Sequence, residues 1–233
     1  ILSIFTLVAY NIPFFQAAAQ CCDSEGSGTL LLCSLAAIML VANYLIYYLL
    51  LYLLRIVGRV IIALLFIGNA LSLYFINTYE VLITSEMMGN VFNTRYSEAS
   101  GYFSLAGVLY VLLLGIIPAL YILLRKVDFK GIKQLGINVG ISIVLIGGIG
   151  VCNMHNTLWI DRNVPKLGSL ILPYSYGVNS IRYYNQWKRL NQKEILLPDA
   201  TITNSDKSLC VVVIGESARR ENFSLYGYER NTN

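Results

Sequence analysis

Residues Leu30–Thr78 read LLLCSLAAIMLVANYLIYYLLLYLLRIVGRVIIALLFIGNALSLYFINT. Arg55 and Arg59 are the only charges in that stretch, and the apolar run on either side is long enough to cross a bilayer as a helix, which takes about 20 residues. Leu30–Leu54 and Val57–Thr78 therefore read as two membrane helices joined by little more than a turn. This pair decides the fold: a helical hairpin through a bilayer, with its basic turn on one side.

Three more spans follow on either side of it. Ile1–Ala19 is the first, interrupted by Asn11 and Pro13; its rival reading is a secretory leader, since Ala17-Ala18-Ala19 resembles a small-residue cleavage site, but no basic n-region is visible in it and the apolar stretch is long. Tyr102–Leu124 is the fourth span and Ile137–Met154 the fifth. Gly140, Gly147, Gly148 and Gly150 in the fifth are expected to permit close helix–helix approach. The bulk composition agrees: 56% of the 233 residues are hydrophobic and 13% charged, with a mean hydropathy of +0.61. A net charge of +4 without a dense basic patch and interleaved stacking aromatics argues against nucleic-acid binding.

Loop charges set the orientation. Arg55 and Arg59, then Arg125, Lys126, Lys130 and Lys133, mark two cytoplasmic loops. The alternate loops carry Asp23, Glu25, Glu80, Glu86 and Glu98 against a single Arg95 and are expected to face outward, as is everything after Met154. Cys21 and Cys22 fall in a loop on that outer side, where a disulfide is permitted; the plainer reading is small packing residues. None of the five cysteines sits in a zinc-cluster pattern. His155, the only histidine, reads as a hydrogen-bonding residue at the outer end of the fifth span.

Two outer segments carry chemistry. In Thr84–Gly101, Asn90, Thr94 and Glu98 recur at a spacing of four, which on one helix stacks an amide, a hydroxyl and a carboxylate on a single face. Such a face suits an ammonium head group; it is equally an ordinary solvated face. In Leu172–Leu190, Tyr174, Tyr176, Tyr183, Tyr184 and Trp187 stand among Arg182, Lys188 and Arg189, a composition suited to the membrane interface or to a linker helix.

Near the C-terminus, Ser208–Gly215 reads as a buried strand that stops at Gly215-Glu216-Ser217. Ligands bind beyond the carboxyl ends of such strands, so Glu216 is a candidate metal ligand, with Arg219 and Arg220 as candidate phosphate contacts. The organisation expected is a membrane domain over 1–155, an outer linker with an interfacial amphipathic helix over 156–206, and the first strand of an incomplete α/β domain over 207–233.

The run VVVIGESARRENFSLYGYERNTN resembles the opening signature of the phosphoethanolamine transferases, a family that modifies lipid A and includes the mobile colistin-resistance enzymes. Asn11–Phe15, the segment LPYSYGVNSIRYY and the five-span anchor resemble that family too, and Asn90, Thr94 and Glu98 fall on its Asn-x3-Thr-x3-Glu pattern. Arg95 departs from it, since members usually carry an acidic residue after the threonine. The resemblance implies a polytopic α-helical membrane domain followed by an alkaline-phosphatase-like domain, here only begun, facing the periplasm from the bacterial inner membrane. It implies a zinc-dependent enzyme, expected to be a monomer, that moves phosphoethanolamine from phosphatidylethanolamine to lipid A or a related acceptor through a phosphothreonine. It makes Glu216 a zinc ligand and associates Asn90, Thr94 and Glu98 with the donor head group. The nucleophile and remaining ligands are expected beyond Asn233, so residues 1–233 alone are expected to be inactive. The rivals are a glycerol-phosphate transferase resembling lipoteichoic acid synthase, and a non-enzymatic membrane scaffold.

Overall fold

The structure is a computed structural model that describes residues 1–22, 28–102, 104–125, 127, 131–192, 211, 223–227 and 229–230. The first span is broken: α1 (Leu2–Tyr10) and α2 (Ile12–Cys22) meet at 62°. Pro13 is the cause, because it lacks an N–H and its ring clashes with the carbonyl four residues back. Asn11 occupies the break and its side-chain amide donates to the Thr6 carbonyl at 3.0 Å. Cys21 and Cys22 lie in the last turn of α2 rather than in a loop.

Helix α3 (Gly28–Tyr79) holds both expected central spans. At Arg55 the backbone leaves helical geometry (φ 44°, ψ −104°) and the chain doubles back. Rings of Tyr47 and Phe66 lie 6.1 Å apart across the two legs, whereas a straight helix would separate them by about 28 Å along its axis. Gly58 makes the reversal possible: a Cβ there would sit 2.1 Å from the Leu50 carbonyl oxygen. By length and composition three helices are able to cross a membrane, or four if the bent α1–α2 pair is one span. Counting the legs 28–54 and 56–79 separately brings the total to about five.

After α3 come α4 (Ser85–Asn93), the single turn α5 (Tyr96–Ala99) and a 3-10 turn over Ser100–Tyr102. The fourth span is composite: α6 (Leu105–Tyr110), a π-helical stretch over Val111–Ile116 and α7 (Ile117–Leu124). Pro118 explains the change of register, since it cannot supply the N–H that the Leu114 carbonyl accepts from in an α-helix. The Tyr10 hydroxyl donates to that carbonyl instead. Inside lipid a carbonyl left unpaired is costly, so the α1 tyrosine and the π stretch belong together.

Helix α8 (Ile132–Cys152) starts five residues before the expected span. It buries only Ser142, and a Cβ on Gly140, Gly147, Gly148 or Gly150 would find no described atom within 4 Å. The close approach expected of these glycines is therefore not made within the described chain. A 3-10 turn over Met154–Asn156 carries the exposed His155 into α9 (Thr157–Gly168), and α10 (Tyr174–Leu190) follows.

The turn between α9 and α10 is where the bundle closes. Leu172 is fully buried in a core that includes Tyr10, Phe14, Ile62 and Phe66. Asn11 grips its backbone from both sides, donating to the Leu172 carbonyl and accepting from its N–H, each at 3.0 Å. The Tyr174 hydroxyl donates to Asn43 (2.8 Å) and the Tyr176 hydroxyl to Asn69 (3.1 Å), so each leg of α3 is pinned to α10 by a buried asparagine. Burial of apolar side chains drives little association in lipid, so such polar pairs and close packing carry the assembly. The segment read as an outer linker thus belongs, up to Gln192, to the same unit as the spans.

Residues 193–233 form a second unit. Its described part holds a 3-10 turn over Ser224–Tyr226 closed by Gly227 in the left-handed region (φ 94°), a conformation glycine adopts without strain. The expected strand over 208–215, apart from Val211, and Glu216, Arg219 and Arg220 lie outside the described residues.

Candidate functional site

The segment bearing Asn90, Thr94 and Glu98 is mounted on α10. Upstream, the Ile83 N–H donates to the Ser169 carbonyl at 3.2 Å and the Asn179 amide donates to the Ile83 carbonyl, fixing where α4 begins. Thr84 caps α4 by accepting from the Met87 N–H. Glu86 follows in the first turn, where a carboxylate opposes the helix dipole favourably. Its carboxyl is held below the usual range by its own backbone N–H first, then by the Thr84 and Ser85 hydroxyls.

Helix α4 then lies across α10 at Tyr183. The Tyr183 ring stacks on Phe92 with centroids 5.8 Å apart, and its hydroxyl accepts from the Asn93 amide at 2.9 Å. Gly89 lets the ring in, since a Cβ there would lie 2.7 Å from Tyr183 Cε2. This seat turns one face of α4 to the protein and leaves Asn90 exposed.

The three residues do not share one helix. α4 ends at Asn93, and Thr94 is extended (φ −66°, ψ 129°). Both the Thr94 N–H (2.8 Å) and its hydroxyl (2.6 Å) donate to the Asn90 carbonyl. That double bond closes α4 and keeps Thr94 over Asn90, as the spacing of four implies, but Glu98 is carried on the separate turn α5. The Glu98 N–H donates to the Arg95 carbonyl at 3.0 Å, so Arg95 and Glu98 occupy one turn. Asn90, Thr94, Arg95 and Glu98 are all exposed.

Chemically this is an acceptor-rich surface. The Thr94 proton is committed to Asn90, which leaves the hydroxyl lone pairs to accept a hydrogen bond. The Asn90 amide oxygen and the Glu98 carboxylate add acceptors, and Glu98 adds the negative charge a cation needs. Among the described residues no three His, Cys, Asp or Glu side chains come together as a metal site. The sequence-derived ligand, Glu216, and the phosphate candidates, Arg219 and Arg220, are not among the residues described.

Sequence reading did not single out Tyr183, Gly89, Asn93 or Asn179 as the seat of this segment, nor Asn43 and Asn69 as the pins for α10. The asparagines carried a usable signal: an amide in mid-span is costly unless it is paired.

Fold and site together define a class, a helical integral-membrane domain with an exposed polar face on a short non-spanning segment. The family model described as phosphoethanolamine transferase EptA/EptB matches residues 30–187, and the chain belongs to this family. It is 34% identical over 166 residues to phosphoethanolamine transferase EptA of Helicobacter pylori, covering 70% of this chain and 31% of that protein. It is 25% identical over 250 residues to phosphatidylethanolamine transferase Mcr-2 of Escherichia coli, covering all of this chain and 45% of that one. Among solved structures, the integral membrane lipooligosaccharide phosphoethanolamine transferase A of Neisseria meningitidis superposes with a TM-score of 0.79 at 23% identity, covering 98% of this chain and 44% of that chain, a likeness of fold. The chain thus spans less than half the length of these relatives.

Proposed function

We propose that the protein transfers phosphoethanolamine from phosphatidylethanolamine to lipid A or a related acceptor, and that its membrane domain holds the donor's ammonium group at Asn90, Thr94 and Glu98. The observation that carries this reading is the Thr94 hydroxyl, whose donation to the Asn90 carbonyl leaves it an acceptor beside an exposed amide and in a segment with one exposed carboxylate. A primary ammonium has N–H groups for all three. The names of the relatives supply the group transferred, and that of the Kdo(2)-lipid A phosphoethanolamine 7''-transferase of Escherichia coli supports a lipid A acceptor.

The orientation follows from charge. The basic residues Arg55, Arg59, Arg125 and Lys133 mark the cytoplasmic side, and the Asn90–Glu98 segment then faces the periplasm of a bacterial inner membrane. In the full-length protein the reaction is a double displacement: a threonine oxygen bonds to the donor phosphorus as the phosphorus–glycerol oxygen bond breaks and diacylglycerol leaves with the proton, and the acceptor phosphate then takes the phosphoethanolamine and frees the threonine; Glu216 would be one zinc ligand and Arg219 or Arg220 would stand against phosphate oxygens. Zinc, when bound, supplies Lewis-acid stabilisation of the transferring phosphoryl group. The residues of the membrane domain bind and orient: they fix the ethanolamine end of the donor.

The test is transfer by the full-length protein from a fluorescent phosphatidylethanolamine. Glu98→Gln removes the charge while keeping the shape, and transfer is expected to fall by about tenfold or more, the worth of one charge-assisted hydrogen bond. Unchanged transfer and unchanged donor affinity would remove the head-group assignment.

A further inference from the structure

Next to the head-group turn, an apolar groove of about 390 Å³ opens between the second leg of α3 and the composite fourth span. Its walls are Leu71 and Phe75 on one side and Val108, Leu112 and Ile116 on the other, and Ala99 of α5 also lines it. Its volume falls in the range of ligand sites, about 300–1,000 Å³. The π-helical stretch supplies Val111, Leu112 and Ile116, so the register change forced by Pro118 shapes this wall.

Three observations say what fits it. First, Leu71, Val108, Leu112 and Ile116 are each 40–50% exposed on helices that span the membrane, so the groove is open to lipid. Second, aromatic side chains crowd the Ala99 end: Tyr79 packs on Phe75, Tyr74 and Tyr102, with ring centroids 5.5, 5.9 and 5.6 Å away. There the Tyr74 hydroxyl is hydrogen-bonded to Ser104 at 2.6 Å. Tyrosines of this kind mark the membrane–water boundary, so the groove runs from the interface into the hydrocarbon. Third, one cation and one anion, Arg95 and Glu98, share the turn that leads into Ala99, whose N–H donates to the Arg95 carbonyl at 2.9 Å. That pairing matches a zwitterion, with phosphate to Arg95 and ammonium to Glu98. A dianionic sugar phosphate lipid would meet Glu98 as a repulsive neighbour.

We propose that this groove holds an acyl chain of the zwitterionic aminophospholipid whose head group sits at Glu98, and that Arg95 is a specificity residue contacting its phosphate. The inference rests on the head-group reading above and extends it from the ammonium to the phosphate and the tail. The groove ties the lipid to one position, so that the segment selects the lipid by its charges and the span retains it by its tail.

The experiment uses the full-length protein in phosphatidylcholine vesicles with trace phosphatidylethanolamine carrying a photoreactive diazirine in an acyl chain. After illumination, mass spectrometry maps the labelled residues. Labelling at Val108 and Leu112 is expected to saturate. Unlabelled phosphatidylethanolamine should compete for it and phosphatidylcholine should not. It should fall by about tenfold in Val108→Trp and in Leu112→Trp, either of which fills the groove, and stay unchanged in Leu145→Trp on α8. Arg95→Glu should weaken it as well. Labelling that never saturates, spreads equally to Val144 and Leu145, yields to a lipid A competitor alone, or survives both groove-filling variants would overturn the proposal. Transfer measured on the same samples separates the two readings. Loss of transfer in Glu98→Gln with labelling indifferent to Val108→Trp sinks the groove and keeps the head-group site. Labelling lost in Val108→Trp with transfer indifferent to Glu98→Gln keeps a lipid groove and sinks the head-group site on which it was built, and so the proposal in this form.

Discussion

Asn11 and Leu172 close a ring of two hydrogen bonds across 161 positions, the side-chain amide giving to the Leu172 carbonyl and its oxygen taking the Leu172 N–H, both at 3.0 Å. Both residues are 0% exposed. This clamp fastens the α9–α10 turn to the break in the first span, and through α10 it sets where α4 can lie. Asn11→Leu leaves two buried backbone groups unpaired, at about 1–3 kcal/mol each. The expected outcome is a lower unfolding temperature in detergent and faster proteolysis within residues 157–190. A variant as stable as the parent would mean that the turn finds another partner.

The Gly89–Tyr183 contact gives a second expectation. Gly89→Val drives a side chain into the Tyr183 ring, which already lies 2.7 Å from an ideal Cβ, and should unseat α4 from α10. Transfer by the full-length protein should fall although Gly89 has no part in binding the head group. Tyr183→Phe keeps the stacking on Phe92 and loses only the bond from Asn93, so it should cost about 1 kcal/mol and leave most activity. Circular dichroism and thermal melts would tell an unseated helix from an unfolded protein; equal activity of both variants would contradict the seat.

The Tyr10–Pro118 relationship is testable as a cycle. Tyr10→Phe removes the donor to the Leu114 carbonyl and should destabilise by about 1 kcal/mol, the net worth of one hydrogen bond. Pro118→Ala restores a backbone N–H, so the double variant should recover much of the loss. Additive effects would show that the hydroxyl does not compensate for the proline.

How much of this was legible in the sequence depends on which interaction decides each part. The hairpin at Arg55 was readable because length and charge alone dictate it. The positions of Asn11 and Pro13 announced an interruption, but the partner of Asn11 lies at Leu172, and no local pattern encodes that pairing. The glycines of α8 looked like a packing face, yet no described atom meets them, since a small-residue stripe permits approach without supplying a neighbour. The spacing of four stacks Thr94 over Asn90, whereas Glu98 is carried on a separate turn. Thr94 leaves helical geometry to cap α4, and the neighbouring Asn93 is held by Tyr183, a contact across 90 positions that no local spacing encodes.

In the function proposed above, the exposed turn from Asn90 to Glu98 recognises an ammonium that can donate hydrogen bonds. The most direct measurement is the retention of phosphatidylethanolamine against phosphatidylcholine of the same acyl chains, followed by native mass spectrometry of the purified membrane protein. The quaternary head group of phosphatidylcholine carries the same charge but no N–H. A preference of about tenfold or more for phosphatidylethanolamine is expected, shrinking towards unity in Thr94→Val and in Glu98→Gln. Equal retention of the two lipids by the parent protein, or an undiminished preference in both variants, would contradict it.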